Sequence, residues 1–231
     1  MPRLSLVGAA ANFSFKGLGE KLPILVDYLI VGGGGHHNGG RGGSAGGTVK
    51  FASGEISRKF ASLIVVGGFG GTSSFNGLSA TGGGHEHGDN GGNNASFGGG
   101  GNSTWGWDES TWTRAAGGGA GAGGHGHSGY IRDVVGQQQP TGGAGGNGLH
   151  WPINGRYYGA GRGGGTWAPR GWTQTGGPNG HGFGNYGSTG ISGVVIISYR
   201  SPVAVYSGGS VAKSGDRVFH EFTGTAYLTP L

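Results

Sequence analysis

The sequence predicts an all-β and irregular protein with essentially no α-helix, in which β-strands at both ends enclose a bundle of extended, glycine-rich helices. Three observations support this prediction. Glycine accounts for 63 of the 231 residues, far above its usual share of about 7%. Strand-like apolar segments lie on both sides of a long middle that has almost no apolar runs. Several of the glycine tracts in that middle repeat with a period of three.

The strand-like segments are short runs rich in β-branched and aromatic residues, bounded by glycine, proline or serine. Before the middle they are RLSLV (3–7), NFSF (12–15), ILVDYLIV (24–31), TVKFAS (48–53) and FASLIVV (60–66). After it come GVVIISYR (193–200) and the segment 203–228, in which SGG and KSGD are predicted turns. Because the strands bracket residues 67–192, we expect one folded unit that closes around the glycine-rich middle.

The glycine tracts suggest how that middle packs. A polyproline II helix has three residues per turn and no internal hydrogen bonds, so its backbone groups must find partners on neighbouring segments. In GGAGGNGLH, which begins at residue 142, Gly142, Gly145 and Gly148 form one row and Gly143 and Gly146 lie on the next, whereas Ala144, Asn147 and His150 form the third. Two rows of glycine and one row that carries side chains predict a packed segment with a single outward face.

A second tract, GGRGGSAGG from residue 39, gives a similar pattern, with Gly39, Gly42 and Ala45 on one inward row and with Arg41 and Ser44 on the predicted outward row. A Cβ atom on an inward row would push neighbouring segments apart. We therefore expect valine at Gly143 or Gly121 to unfold the bundle locally.

Composition disfavours several classes of protein. The absence of cysteine excludes disulfides and thiolate sites. The isoelectric point of about 9.6 invites a nucleic-acid partner, but the basic residues are scattered and RGG occurs only at Arg41 and Arg162. Disorder is disfavoured by six Trp, eight Tyr and ten Phe. No apolar run reaches the length of a membrane span, so we predict neither nucleic-acid binding nor membrane insertion.

The frame of strands and glycine resembles the glycine-rich domains of bacteriophage tail-fibre and tail-tip proteins. The resemblance depends on VDYLIVGGGG (26–35), GGTVKFASGEISRKFASLIVVGGFGG (46–71), GISGVVIISYR (190–200) and GGSVAKSGDRVFHEFTGTAYL (208–228). It implies a β-sandwich with a bundle of polyglycine II helices in a glycine-rich domain (26–200), followed by a C-terminal β-hairpin (201–231). Residues 1–25 do not match the pattern of this family, and we expect them to form an N-terminal strand segment that docks onto another virion protein.

The same resemblance implies a function in host attachment. Related bundles form receptor-binding adhesins in the virion, at the tip of the phage tail, after synthesis in the host cytoplasm. The implied partners are a host cell-surface protein or glycan and other virion tail proteins, and a homo-oligomer such as a trimer stays open. The alternative is a purely structural virion tail component that binds no receptor.

Aromatic residues within the middle are the candidates for receptor binding. All six tryptophans lie between Trp105 and Trp172, in three insertions that we expect to be connecting loops, since a glycine bundle leaves no room for indoles. Loops on rigid scaffolds commonly carry function, and aromatics beside polar groups suit sugar stacking and protein contacts. The alternative is a hydrophobic lid over the end of the bundle. The candidates are Trp105, Trp107, Trp112, Trp151, Tyr157, Tyr158, Trp167 and Trp172.

Paired histidines follow several glycine runs. His85 and His87, with His125 and His127, would give four ligands for iron or zinc, metals that imidazole binds well. In a threefold helix, however, residues i and i+2 point about 120° apart. We therefore interpret these histidines as residues at the ends of glycine segments that bind no metal, and we predict no cofactor. An iron or zinc site is the alternative.

An enzymatic function is not expected. Serine, histidine and carboxylates occur in no order that indicates a catalytic triad. Asp108 and Glu109 are adjacent, which does not suit the spacing of glycosidase carboxylates. The GxG strings lie in no strand–turn–helix unit and therefore do not indicate a dinucleotide site.

Overall fold

The computed structural model describes residues 21–36, 42–85, 88, 90–94, 99–108, 111–134, 137–168, 174–180 and 191–231. Within these ranges the chain is all-β, is arranged in several small antiparallel sheets and contains no α-helix. The fold class expected from the sequence is confirmed at that level. The strands expected at 3–7 and 12–15, and most of segment 1–25, lie outside the described residues.

The strands of the described residues are, in chain order, β1 (Ile24–Val31), β2 (Val49–Ile56), β3 (Ser62–Ile64), β4 (Ser73–Phe75), β5 (Leu78–Ala80), β6 (Thr104–Asp108), β7 (Thr111–Ala115), β8 (Tyr130–Val134), β9 (Gln137–Thr141), β10 (Leu149–Trp151), β11 (Arg156–Tyr158), β12 (Thr166–Trp167), β13 (Val194–Arg200), β14 (Tyr206–Ser207), β15 (Ser210–Ser214), β16 (Arg217–Phe222) and β17 (Ala226–Pro230).

The largest sheet has five strands in the order β15-β16-β13-β1-β2, all antiparallel. Two adjacent inner strands, β1 and β13, coincide with the apolar runs that predicted them. They carry apolar residues on both faces because both faces are covered. Successive side chains point to opposite sides of a strand. Tyr28 and Ile30 therefore enter one buried cluster, whereas Leu29 and Val31 enter another.

Different parts of the chain cover the two faces. The first cluster includes residues of the small strands, among them Ile64 of β3, Phe75 of β4 and Leu228 of β17. The second includes Trp151 of β10 and Tyr158 of β11. Segments far apart in sequence thus meet on one central sheet.

The C-terminal segment belongs to the same set of sheets. β16 pairs with β13, and β17 pairs with both β14 and β3. The predicted KSGD turn joins β15 to β16, and Gly215 adopts a φ of 59° there, a left-handed conformation that glycine accepts without steric cost.

A polar cluster ties three strands of the central sheet together. Arg217 Nη1 of β16 donates to Asp27 Oδ2 of β1 at 2.7 Å and to Ser198 Oγ of β13 at 3.2 Å. Burial raises the pKa of Asp27, but the hydrogen bonds from Ser53 and Arg217 together lower it by more. The pKa of Asp27 therefore lies below its ordinary value of 3.8.

His220 is a fully buried polar residue of β16. Its Nδ1 lies 2.8 Å from the carbonyl oxygen of Gly208, so this nitrogen carries the proton and donates. Its Nε2 therefore accepts, from the Tyr199 hydroxyl at 2.9 Å. Burial lowers the pKa of His220, and the bond to Gly208 offsets this only in part. The imidazole is thus held neutral between the sheet and the segment that leads into β15.

The remaining glycine-rich segments pack by backbone hydrogen bonds. We call the segments 32–36, 42–48, 81–85, 90–94, 99–103, 116–129, 142–148, 159–165 and 174–180 the glycine region. The bonds between these segments recur every third residue. The amides of Ala116, Gly119 and Ala122 donate to the carbonyls of Gly165, Arg162 and Gly159.

Segment 116–122 lies at the centre of this network. Its backbone exchanges hydrogen bonds with residues of 43–46, 91–92, 99–101, 124–127, 143–146 and 159–165. All of its residues are buried, and all are Gly or Ala. Contact on every side explains why this segment carries no larger side chain.

Burial follows the predicted period in one tract but not in another. In 142–148, Gly142, Gly143, Gly145, Gly146 and Gly148 are buried, whereas Ala144 is half-buried and Asn147 is exposed. In the tract from residue 39, the expected outward face at Ser44 is wrong. Ser44 is fully buried, and its hydroxyl donates to the His36 carbonyl oxygen at 3.1 Å. Arg41 lies outside the described residues.

Cβ atoms are tolerated inside the glycine region at selected positions. Ala45 and Ala120 are fully buried within it, so the expectation that no inward position carries a Cβ is too strict. At most of the glycines a Cβ would meet backbone atoms; at Gly143 it would lie 1.8 Å from the His127 carbonyl oxygen. Position along the segment therefore decides which sites accept alanine.

Candidate functional site

The strongest candidate site is a three-stranded sheet, β12-β7-β6, whose strands carry four of the tryptophans. These residues were expected in connecting loops, and that expectation is wrong. β6 and β7 form an antiparallel hairpin that pairs Trp105 with Arg114 and Trp107 with Trp112. β12 pairs Trp167 with Arg114 on the other side.

Register gathers the aromatic residues on one face. Directly opposed residues of antiparallel strands project to the same side, so Trp105, Arg114 and Trp167 form a row across the three strands. Trp105 and Trp112 are each 49% exposed, and Trp167 is 38% exposed. We call the side chains of Trp105, Trp112, Trp167 and Arg114 the tryptophan face.

Contacts within the tryptophan face hold its rings in place. The rings of Trp105 and Trp112 meet edge to face, with centroids 6.1 Å apart and planes at 89°. The Arg114 guanidinium lies 3.8 Å from the centroid of the Trp105 ring, a cation–π contact worth about 0.5–1 kcal/mol at an exposed site. The Trp105 indole N–H donates to Ser103 Oγ at 3.2 Å. The face therefore presents large apolar groups whose conformations are already restricted.

The opposite side of this sheet is anchored. Thr113 and Ala115 alternate with the exposed residues of β7 and are fully buried. The Thr113 hydroxyl donates to Gln138 Oε1 of the neighbouring β8–β9 hairpin at 2.6 Å. A Cβ at Gly106 would lie 2.3 Å from the same Gln138 oxygen. The glycine between Trp105 and Trp107 therefore leaves room for the hydrogen bond between Thr113 and Gln138.

The other aromatic candidates occupy different environments. Trp151 and Tyr158 are 2% and 1% exposed and pack on the central sheet with Leu29 and Ile196. Burial raises the pKa of the Tyr158 phenol, which accepts a hydrogen bond from Asn154 Nδ2 at 2.8 Å. Both side chains are core residues here, so the expectation that Trp151 lies in a connecting loop is wrong. The reason is that the β10–β11 hairpin packs across the sheet.

Tyr157 lies half-buried on the other side of that hairpin, with its ring 4.8 Å from the ring of His150. Trp172 lies outside the described residues. Arg114 and Tyr130, which is 53% exposed in β8, were not predicted as site residues. The signal for Arg114 was its place in the segment TWTRA, opposite Trp105 once the hairpin is formed.

The histidines are dispersed among the described residues. The His36 amide donates to Nδ1 of His85 at 2.9 Å, and the two rings lie 6.4 Å apart. His125 lies beside Gly99, where an added Cβ would be 3.1 Å from its Nδ1. Among the described residues no three metal-binding side chains converge. His87 lies outside them, so the four-ligand set expected as an alternative is not described as a whole.

Comparison of the chain with protein-family models, with curated proteins and with solved structures gave no match. In the described ranges, no helix has the length and apolar character needed to cross a membrane.

Proposed function

We propose that this chain is a bacteriophage tail-fibre or tail-tip protein that binds a host cell-surface receptor through the tryptophan face. The observation that carries the proposal is the exposure of Trp105, Trp112 and Trp167 side by side on an anchored sheet. Residues that dominate protein binding sites are enriched in Trp, Tyr and Arg. Aromatic faces also stack on sugar rings, so the receptor is a surface protein or glycan.

The scaffold in this proposal is a bundle of polyglycine II helices joined to a β-sandwich. The hydrogen bonds that recur every third residue support the bundle, as do the many neighbours of segment 116–122. The packing of β3, β4 and β17 on one face of the central sheet supports the sandwich. The resemblance of segments 26–35, 46–71, 190–200 and 208–228 to phage tail proteins supports the setting in a virion.

A scaffold of this kind suits receptor binding for a physical reason. Binding is weakened when side chains and loops must be ordered at the interface. The tryptophan face lies on strands rather than on a free loop, and its back is bonded to a second hairpin. The entropy lost on binding is therefore smaller than for the same residues in an unstructured insertion.

The test is saturable binding of labelled full-length protein to a panel of intact bacterial strains. The variant carries Trp105→Ala and Trp112→Ala, and circular dichroism confirms that it folds. The matched control is Phe60→Ala, since Phe60 is 74% exposed and lies outside the face. We expect binding to some strains, a loss of at least about tenfold in affinity in the double variant, and no loss in the control.

Absence of binding to every strain, including the host of a phage that encodes the chain, would overturn the proposal. It would leave a structural tail component as the better interpretation. Equal binding by the double variant and the wild type would retain the adhesin but remove the tryptophan face as its contact surface.

A further inference from the structure

A groove of about 340 Å³ lies between the β10–β11 hairpin and the outer strands of the central sheet, and no residue of the tryptophan face lines it. The hairpin contributes Ile153, Asn154 and Arg156 from its turn and the start of β11. The sheet contributes Ile196 of β13, Phe219 and Glu221 of β16, and Ser210, Ala212 and Ser214 of β15. Its volume falls in the usual range for small-molecule sites, about 300–1,000 Å³.

The register of the sheet explains why the groove is open. Ile196, Glu221 and Ser210 lie opposite one another in a single cross-strand row, and Phe219 and Ala212 lie opposite in the next. The hairpin covers the part of this face near Leu29 with Trp151 and Tyr158. Beyond its turn the face continues, and the alternate residues of the edge strand β15 are too small to fill the space.

The lining combines an apolar floor with polar groups of both kinds. Ile196 and the half-buried ring of Phe219 form the floor. Arg156 supplies only hydrogen-bond donors, and an ionised Glu221 supplies only acceptors. A wholly apolar occupant would take water away from both polar groups and offer them no hydrogen bond in return. An anion would face Glu221, and a cation would face Arg156.

One wall of the groove is held in shape by its own hydrogen bonds. Asn154 Nδ2 donates to the Tyr158 hydroxyl at 2.8 Å, and Asn154 Oδ1 accepts from the Arg156 amide at 3.1 Å. The turn is therefore braced on a fully buried side chain. A braced wall favours binding because little ordering is left for the ligand to impose.

We propose that this groove binds a neutral saccharide of one or two pyranose units. Such a ligand has an apolar ring face for Phe219, and hydroxyl groups that both donate to Glu221 and accept from Arg156. The serine hydroxyls of Ser210 and Ser214 add groups that serve in either role. The proposal is independent of the tryptophan face and of host attachment.

The test uses ligand-observed NMR and calorimetry on the full chain. The neutral probes are glucose, galactose, mannose, N-acetylglucosamine, maltose and lactose, and the charged comparators are glucuronic acid and glucosamine. We expect saturable binding of at least one neutral probe in the millimolar range, and weaker binding of glucuronic acid and of glucosamine than of that probe. Failure of all six neutral probes to bind would overturn the proposal.

Two variants locate the site. Ala212→Leu fills the groove from the edge strand and should weaken binding at least about tenfold. Val211→Leu is its matched control, since Val211 is the adjacent residue, is 52% exposed and points to the other face of β15. Glu221→Gln keeps the shape of the groove and should also weaken binding, which covers the case in which Ala212→Leu does not fold.

The double variant Trp105→Ala and Trp112→Ala separates this proposal from the proposed function, because it should bind the saccharide as the wild type does. Saccharide binding that is lost in the double variant, or that persists in both Ala212→Leu and Glu221→Gln, would overturn the assignment to the groove.

Discussion

The central sheet and the glycine region are both buried, but different atoms fill their interiors. The sheet packs through large side chains such as Leu29, Ile197 and Phe222, which interdigitate on its two faces. The glycine region packs through backbone, with peptide groups bonded from segment to segment. The buried positions of the sheet are therefore sensitive to a loss of side-chain volume, whereas most glycines of the glycine region are sensitive to a gain. One chain thus contains two opposite responses to substitution.

The largest expected effect is that of adding side-chain atoms to the glycine region. At Gly143 a Cβ would lie 1.8 Å from the His127 carbonyl oxygen, and backbone atoms cannot rotate away as a side chain can. We expect Gly143→Val to lower the free energy of unfolding by more than about 5 kcal/mol, beyond the usual range for overpacking. Chemical denaturation followed by circular dichroism measures the change.

Gly176→Val is the matched control for this prediction, since its Cβ would have its nearest neighbour at 4.0 Å. The control should stay within about 1 kcal/mol of the wild type. Equal stability of the two valine variants would contradict backbone packing in the glycine region.

The second effect is that of removing atoms from the sheet. Leu29 of β1 is fully buried against the β10–β11 hairpin. We therefore expect Leu29→Ala to lower the free energy of unfolding by about 2–5 kcal/mol. Leu25 lies on the same face of β1 but is 64% exposed, and Leu25→Ala should cost less than about 0.5 kcal/mol. Thermal and denaturant melts compare the pair, and similar losses would show that this face is not the core assigned to it.

The smallest effect concerns pH and also belongs to the sheet. Burial holds the pKa of His220 below its ordinary value of 6.5 in the folded protein. The unfolded chain therefore binds this proton first as the pH falls, and the folded state loses stability below pH 6.5. Above pH 6.5 the contribution is fully present. Asp27 titrates at lower pH, because its pKa lies below 3.8.

His220→Phe tests this assignment. The variant should be less stable at neutral pH, because it leaves the Gly208 carbonyl and the Tyr199 hydroxyl without their imidazole partner. Between pH 7.5 and 5.5 its stability should fall less steeply than that of the wild type. Parallel stability curves for the two proteins would show that His220 does not carry this pH dependence.

The sequence predicted the strands of the central sheet better than those of the middle. β1 and β13 are long apolar runs, and a sheet covered on both faces produces such a run in the sequence. The β4–β5 hairpin was missed, although Asn76 and Gly77 have φ values of 48° and 77° and Asn-Gly is a strong two-residue hairpin signal. The β6–β7 and β10–β11 hairpins, which contain tryptophans, were missed. Their strands have only three to five residues, which is too short for a clear alternation of apolar and polar residues.

The candidate site was predicted in part. Trp105, Trp112 and Trp167 are exposed as expected, whereas Trp151 and Tyr158 are buried. The two groups have the same residue types and similar polar neighbours in the sequence. What separates them is the surface against which each hairpin packs, and this depends on contacts between segments far apart in the chain.

The sequence by itself determined the all-β class and the places where large side chains are absent. Both follow from local patterns, since the period and the residue types of an apolar run or a glycine tract can be read within the segment itself. Only the tertiary structure decided that Ser44 is enclosed, that Arg114 lies between two tryptophans and that a groove stays open beside β15. Each of these depends on register and on which segments become neighbours, and long-range contacts that leave no local pattern determine both.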